Sequence, residues 1–248
     1  YLLLDAGRYG QGHHHEDKLH IELMALGRAF LVDAGRFTYD YATPARQWAV
    51  TSQAHNTILV DGAGQCRWKA PRLGWYDVNV PVRDTRWRTT KASDLAAGKY
   101  DANDGPFERE LPGVLRIERA VHFQKPATNR PGFWIVSDAV HGTGHHVVDA
   151  LFHLHPDNAP VRVENRAVWT TNADVNLLIL VLGAAPSLIA CYRGQKEPFR
   201  GWVSSSYGEA LPAEEVEIRG EGELPLRRDY LLLPFRGANP PAVTIESY

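Results

Sequence analysis

LHIELMALGRAFLVDAG, residues 19–35, decides the fold class. Apolar residues alternate over Leu19-His-Ile-Glu-Leu23, Ala25-Leu-Gly-Arg28 reads as a turn, and Ala29-Phe-Leu-Val-Asp33 resumes the apolar run before Ala34-Gly35 closes it. Successive side chains of a strand point to opposite faces, so a period of two marks half-buried strands rather than a helix. The stretch is predicted to be a β-hairpin.

Working outward, the same pattern recurs. Thr57-Ile-Leu-Val60 stops at Asp61-Gly62, and further strands are expected over Val114 to Phe123, Phe133 to Val140, Val147 to His155, Ala167 to Thr171, Val175 to Leu182, Glu214 to Arg219 and Tyr230 to Leu233. Sixteen prolines and 21 glycines argue against long helices, and only Ser93 to Ala97 carries a brief helical pattern. Strands at this spacing predict an all-β fold, a large antiparallel β-sandwich. Residues 1–248 read as one domain, with a possible subdivision near 100–113. The stretch from Cys66 to Gly113 reads as irregular binding loops, because it is rich in Trp and Arg.

Bulk properties exclude several classes. A chain of 248 residues, 44% hydrophobic, can bury a substantial core. Its formal net charge of −2 gives no global sign of nucleic-acid or membrane-surface binding, and no apolar run approaches the length of a membrane span. Two distant cysteines, Cys66 and Cys191, rule out a cysteine-only zinc site and a disulfide scaffold. The chain opens YLLLDAGRYG, without an initiator Met or a leader pattern, and is expected to be a piece of a longer protein.

GHHHEDKLH, residues 12–20, gathers four of the eleven histidines beside two carboxylates. His13 and His15 stand two apart, so in an extended segment both rings project from one face. Two imidazoles can meet one cation, and a zinc ion then needs further N, O or S ligands. Asp33, closing the hairpin, and His55, in Ala54-His-Asn-Thr57, are candidates. A hydrated histidine loop is the plain alternative, and an Asp before Ala-Gly is commonly a turn residue. A cupin-type metal motif fits Gly7 and His13-x-His15 but fails at its Glu, where Leu19 and His20 stand.

Taken together, Asp5-Ala-Gly7, Gly12-His-His-His-Glu-Asp17, Leu26-Gly-Arg28, Val32-Asp-Ala-Gly35, Tyr39, Arg46 and Ala54-His-Asn-Thr57 resemble the heparinase II/III-like family of polysaccharide lyases. Phe152-His-Leu-His155-Pro, Gly201-Trp-Val-Ser204, Tyr207-Gly208, Leu224-Pro225 and Leu231-Leu-Leu-Pro234 extend the resemblance over the whole chain. It implies a supersandwich-like β-domain that follows an N-terminal α/α-toroid, and a periplasmic or secreted location. It also implies one structural zinc ion held by His15, Asp33 and His55, with His13 facing the substrate cleft. The departure is His14, which fills the middle of the His-x-His pair and makes it ambiguous which pair points inward.

The activity so implied is β-elimination on an acidic, uronic-acid polysaccharide. It requires neutralisation of the uronate carboxylate, a base for the C5 proton and an acid for the departing 4-oxygen. His13 is the first candidate for catalysis, followed by Tyr39 and Tyr41, although a strand Tyr is commonly a packing residue. Most of the family's acid–base groups lie in the toroid, so this segment by itself is expected to be inactive or nearly so. From Arg67 to Lys91 seven basic residues stand against two acidic ones, with Trp68, Trp75, Tyr76 and Trp87 interleaved. Arg67, Trp68 and Arg72, with Arg46, are the expected substrate contacts. Such a segment could also bind single-stranded nucleic acid, but no recognition motif accompanies it and no nucleic-acid partner is expected. The alternative reading is a non-catalytic β-sandwich that binds acidic carbohydrate. His153 and His155 are expected in packing or a turn, and His141, His145 and His146 at an exposed hairpin tip.

Overall fold

The computed structural model describes residues 1–7, 15–65, 85–101, 111–128, 130–158, 160–183 and 186–245. β1 (Leu2–Asp5), β2 (His20–Ala25) and β3 (Arg28–Leu31) form a three-stranded sheet around the expected hairpin. Helix α1 (Pro44–Ala49) and β4 (Ile58–Val60) follow, then β5 (Arg86–Thr89), β6 (Ser93–Asp101), β7 (Val114–Gln124), β8 (Phe133–Gly142) and β9 (His145–His153). The second half supplies β10 (Val161–Glu164), β11 (Ala167–Thr170), β12 (Val175–Val181) and β13 (Leu188–Arg193). Two small hairpins come next, β14 (Gln195–Lys196) with β15 (Phe199–Arg200) and β16 (Trp202–Ser206) with β17 (Glu209–Pro212). The long strands β18 (Glu214–Glu223) and β19 (Leu226–Arg236) complete the set.

Eight strands make the larger sheet in the order β10-β11-β12-β19-β8-β7-β6-β5, and four make the opposing one, β13-β18-β9-β4. Beyond β3, Val32 N donates to His153 O at 3.1 Å and His155 N to Phe30 O at 2.9 Å, joining the three-stranded sheet to the end of β9. The main core lies between these layers. Val121, Trp134, Val136, Leu177, Ile179, Tyr230 and Leu232 of the large sheet meet Ile21, Leu23, Phe30, Phe152, Val216 and Ile218. Alternation along β8 is clean: Trp134, Val136, Asp138 and Val140 are buried, and their neighbours are half-buried. The fold is therefore the expected antiparallel β-sandwich.

Asp138 is a carboxylate on the buried face of β8, and it survives there because Arg119 on β7 pairs with it. Arg119 Nε and Nη2 donate to the two Asp138 carboxylate oxygens at 2.7 and 2.8 Å. The remaining terminal nitrogen donates to the backbone carbonyls of Leu19 and Asn56. A buried ion pair persists when its charges and leftover hydrogens are satisfied in this way.

The structure departs from three sequence expectations. Ser93–Asp101 is a strand, not a helix, paired to β5 on one side and β7 on the other. Its small residues carry little periodic signal, and the two ladders decide its conformation. The α-helix instead spans Pro44–Ala49, where Thr43 Oγ1 accepts from Arg46 N at 3.3 Å and Pro44 takes the first turn. Those are ordinary start signals for a helix. Within the supposed irregular stretch, residues 85–101 carry β5 and β6, while 66–84 and 102–110 lie outside the described residues. His146 is buried rather than exposed, its Nδ1 lying 2.7 Å from Asp61 Oδ2, whereas His145 is exposed.

Candidate metal centre and adjoining cleft

The three segments that meet at the centre are held by backbone-directed bonds. A short 3-10 turn, Ser52–Ala54, ends at His55, which is extended at φ −127° and ψ 154°. Ser52 Oγ donates to Glu16 O at 2.9 Å, and Glu16 N donates to Val50 O at 2.9 Å, which fixes the strip bearing His15 against that turn. Asn56 next door is a stitch between strands. Its Nδ2 donates to Ile21 O at 2.6 Å and to Val32 O at 3.0 Å, and its Oδ1 accepts from His153 N. Thr57 Oγ1 donates to Lys18 O at 2.9 Å. The His-Asn-Thr triplet thus combines one ring facing the centre with two residues that tie down β2, β3 and β9.

Asp33 follows β3 in a tight loop. Gly35 adopts φ +80°, its N–H donates to Asp33 Oδ1 at 2.6 Å, and Ser204 N donates to Ala34 O at 2.8 Å. A Cβ on residue 35 would lie 2.1 Å from Ser204 O, so the close approach of β16 and the left-handed backbone both require glycine there.

His15, Asp33 and His55 converge: one ligand atom from each lies within 4.8 Å of the others. His15 Nδ1 is 3.3 Å from His55 Nε2, which is 3.3 Å from Asp33 Oδ2. His55 Nδ1 faces Thr51 O at 2.8 Å, so its proton sits there and Nε2 turns a lone pair to the centre. Burial alone would raise the Asp33 carboxyl, but His55, His20, the Gly35 N–H and His15 hold it below the usual carboxylate range. A carboxylate and an inward-facing imidazole lone pair beside a second imidazole are a donor set suited to a divalent cation such as zinc. In the structure Arg46 Nη1 donates to His15 Nε2 at 3.1 Å, completing the outer side of that ring.

Alongside lies a cavity of about 430 Å³ lined by His15, Asp33, Arg36, Tyr39 and Arg46. Tyr39 and Tyr41 are 43% and 53% exposed, so neither is a packing residue. Arg36 Nη1 donates to Tyr39 Oη at 2.5 Å and Arg46 Nη2 to Tyr41 Oη at 3.2 Å. The Arg36 guanidinium lies 4.6 Å from the Tyr39 ring centre and 5.8 Å from that of Tyr207. Arg46, expected as a substrate contact, is only 2% exposed, so it is a fixed positive charge in the wall rather than a mobile surface arm. His13, Arg67, Trp68 and Arg72 lie outside the described residues. Trp87, from the same basic segment, is 71% exposed on β5.

Two participants escaped the sequence reading. The ring of His20 stands edge-on to that of His55, with centroids 5.6 Å apart. Alternation groups it with Glu22 and Met24, on the face opposite Ile21 and Leu23, so no local pattern marks its burial. Tyr207 reaches the cleft from the β16–β17 hairpin, with its hydroxyl 3.4 Å from Thr38 Oγ1. No local pattern could have located it, since the two residues are 169 positions apart.

Fold and core define the class: a large antiparallel β-sandwich whose histidine-carboxylate centre adjoins an Arg- and Tyr-lined cleft. Residues 1–245 match the family model described as "Heparinase II/III-like, C-terminal", and the chain belongs to that family. Among solved structures it is similar to the heparan sulfate lyase HepC of Pedobacter heparinus, with 23% identity and a TM-score of 0.75 over 97% of this chain and 34% of that one. A mutant of the same lyase gives 22% identity and a TM-score of 0.76, at the same shares of 97% and 34%. A heparinase III gives 16% identity and a TM-score of 0.68, covering 96% of this chain and 34% of the other. The chain therefore spans about a third of the length of these lyases. No curated protein matches it.

Proposed function

We propose that this chain is the β-sandwich part of a zinc-containing polysaccharide lyase that cleaves a uronic-acid polysaccharide by β-elimination. The observation that carries the reading is the convergence of His15, Asp33 and His55 beside a cleft walled by Arg36, Arg46 and Tyr39. His15, Asp33 and His55 would hold the ion, which when bound supplies a structural cross-link between three separate segments.

The chain's own groups suit the elimination. Arg36 and Arg46 offer positive charge that would neutralise the uronate carboxylate and so acidify the C5 proton. Tyr39 and Tyr41 present hydroxyls for proton transfer: the C5 proton passes to a base, the C5–H electron pair becomes the C4–C5 double bond, the C4–O bond breaks with its pair going to oxygen, and that oxygen takes a proton from an acid. His13 is assigned to the same cleft on the family resemblance. A preceding α/α-toroid would supply further acid–base groups, and a periplasmic or secreted location is proposed with it. Among the described residues no helix is long and apolar enough to cross a membrane.

The test uses the whole gene product on heparan sulfate, alginate and other uronic-acid polymers. A rise in the ultraviolet absorbance of unsaturated uronate is expected, and its absence across the panel would count against elimination. A second reading, a non-catalytic acidic-carbohydrate binder, draws on β5, whose residues Arg86, Trp87, Arg88 and Thr89 are all exposed. It predicts salt-sensitive binding by this chain alone, undiminished by loss of the metal.

A further inference from the structure

His20 is the first residue of β2 and is 3% exposed. The backbone N–H of Asn56 donates to its Nδ1 at 2.9 Å, so that nitrogen carries the lone pair and Nε2 carries the proton of the neutral ring. Nε2 is buried and has no hydrogen-bond partner. It stands 3.9 Å from Asp33 Oδ2 and 3.9 Å from Glu22 Oε1. A buried donor left without an acceptor is costly, and its presence wants a reason.

We infer that His20 is a positioning residue for Asp33: its Nε2–H is the donor that steadies the carboxylate when a divalent cation is drawn between His15, Asp33 and His55, and His20 is not itself a ligand. The inference rests on the zinc reading of the centre. A cation cannot use a nitrogen that bears a proton, and moving that proton to Nδ1 would set it against the Asn56 N–H. The ligands are then His15, Asp33 and His55, and His15 Nδ1 can ligate once Arg46 turns from Nε2 and the ring's proton moves there. Donors that orient ligating carboxylates commonly tune affinity without touching the metal. Glu22, the other acceptor in reach, has a side chain 40% exposed and can turn to solvent.

The test measures zinc affinity of this chain by chelator competition, and the visible spectrum after cobalt(II) replacement, for wild type, H20L, H20Q, E22Q and H55A. Wild type is expected to bind zinc and H55A to lose it; a wild type that binds none overturns the zinc reading itself and this inference with it. Given binding, H20L should weaken zinc about 10- to 100-fold while the cobalt bands keep their positions and intensity. H20Q, whose amide can donate from a similar place, should stay within about threefold, as should E22Q. Unchanged affinity in H20L would overturn the positioning role, and a cobalt spectrum altered as in loss of a nitrogen ligand would show His20 to be a ligand instead. Should H20L fail to fold, H20Q decides: retention supports the inference, and a loss as large as that of H55A overturns it.

Discussion

Arg119 and Asp138 face each other across β7 and β8 as a two-pronged ion pair, with side-chain exposures of 0% and 1%. The same guanidinium holds the carbonyls of Leu19 and Asn56, the neighbours of His20 and His55. Removing one charge strands the other. Asp138→Asn is expected to lower stability by about 3–5 kcal/mol in urea denaturation. The double replacement Arg119→Met with Asp138→Leu should recover much of that stability, because neither charge is then left alone. If the double variant is as unstable as the single one, the contacts to Leu19 O and Asn56 O matter more than the charge pair.

Loss of a ligand should separate metal binding from folding. Purified wild-type chain is expected to hold about one equivalent of zinc, as a mixed N/O site does. His15→Ala, Asp33→Asn and His55→Ala should each retain little after dialysis against a weak chelator. Elemental analysis checks this directly. Unchanged zinc in any two of the three would place the ion elsewhere.

Acid should destabilise the fold through its buried histidines. His20 and His153 are both pushed down to about 3, chiefly by burial. An unfolded histidine takes up a proton near pH 6.5, so between about pH 6.5 and pH 3 the unfolded chain binds more protons than the folded one. Stability therefore falls as pH drops through that window. Between pH 7 and pH 5 the loss should be about 2 kcal/mol per histidine, measured by urea titration with EDTA present. His153→Gln should show roughly half the wild-type loss. Equal losses in the two proteins would argue that His153 is reached by water.

The tyrosines can be told apart from scenery by kinetics in the whole gene product. Tyr39→Phe or Tyr41→Phe keeps the ring and removes the hydroxyl. Whichever moves a proton should lose roughly 10²- to 10⁴-fold in kcat with KM little changed. A change confined to KM would mark that tyrosine as a binding residue, and no change in either would remove it from the chemistry.

Much of the sandwich was legible because half-buried antiparallel strands write their burial into the sequence at a period of two. β7 and β8 followed that signal, whereas β12 is buried on both faces and reads as a continuous apolar run. Ser93–Asp101 misled because Ala96, Ala97 and Gly98 are too small to show which face is apolar, and its ladders to β5 and β7 are tertiary facts. The helix at Pro44–Ala49 was marked by Thr43-Pro44 but is too short to show a 3.6-residue period. At the centre, His15, Asp33 and His55 were legible as residue types at strand ends, since each is fixed by its own local loop. Arg46 was legible as a charge but not as a buried one. Its environment comes from Arg36, Tyr41 and His15, which only folding assembles.

The place of β19 in the large sheet has a consequence for how the chain comes off the ribosome. It lies between β12 and β8, so β5 to β8 on one side and β10 to β12 on the other are both made before the strand that joins them. Until residues 226–236 emerge, two half-sheets wait with unpaired inner edges, Val175–Val181 and Phe133–Gly142. Such edges invite pairing with other chains. During synthesis, solubility therefore depends on how soon the last long strand arrives, and a pause before residue 226 is the moment of greatest exposure to aggregation.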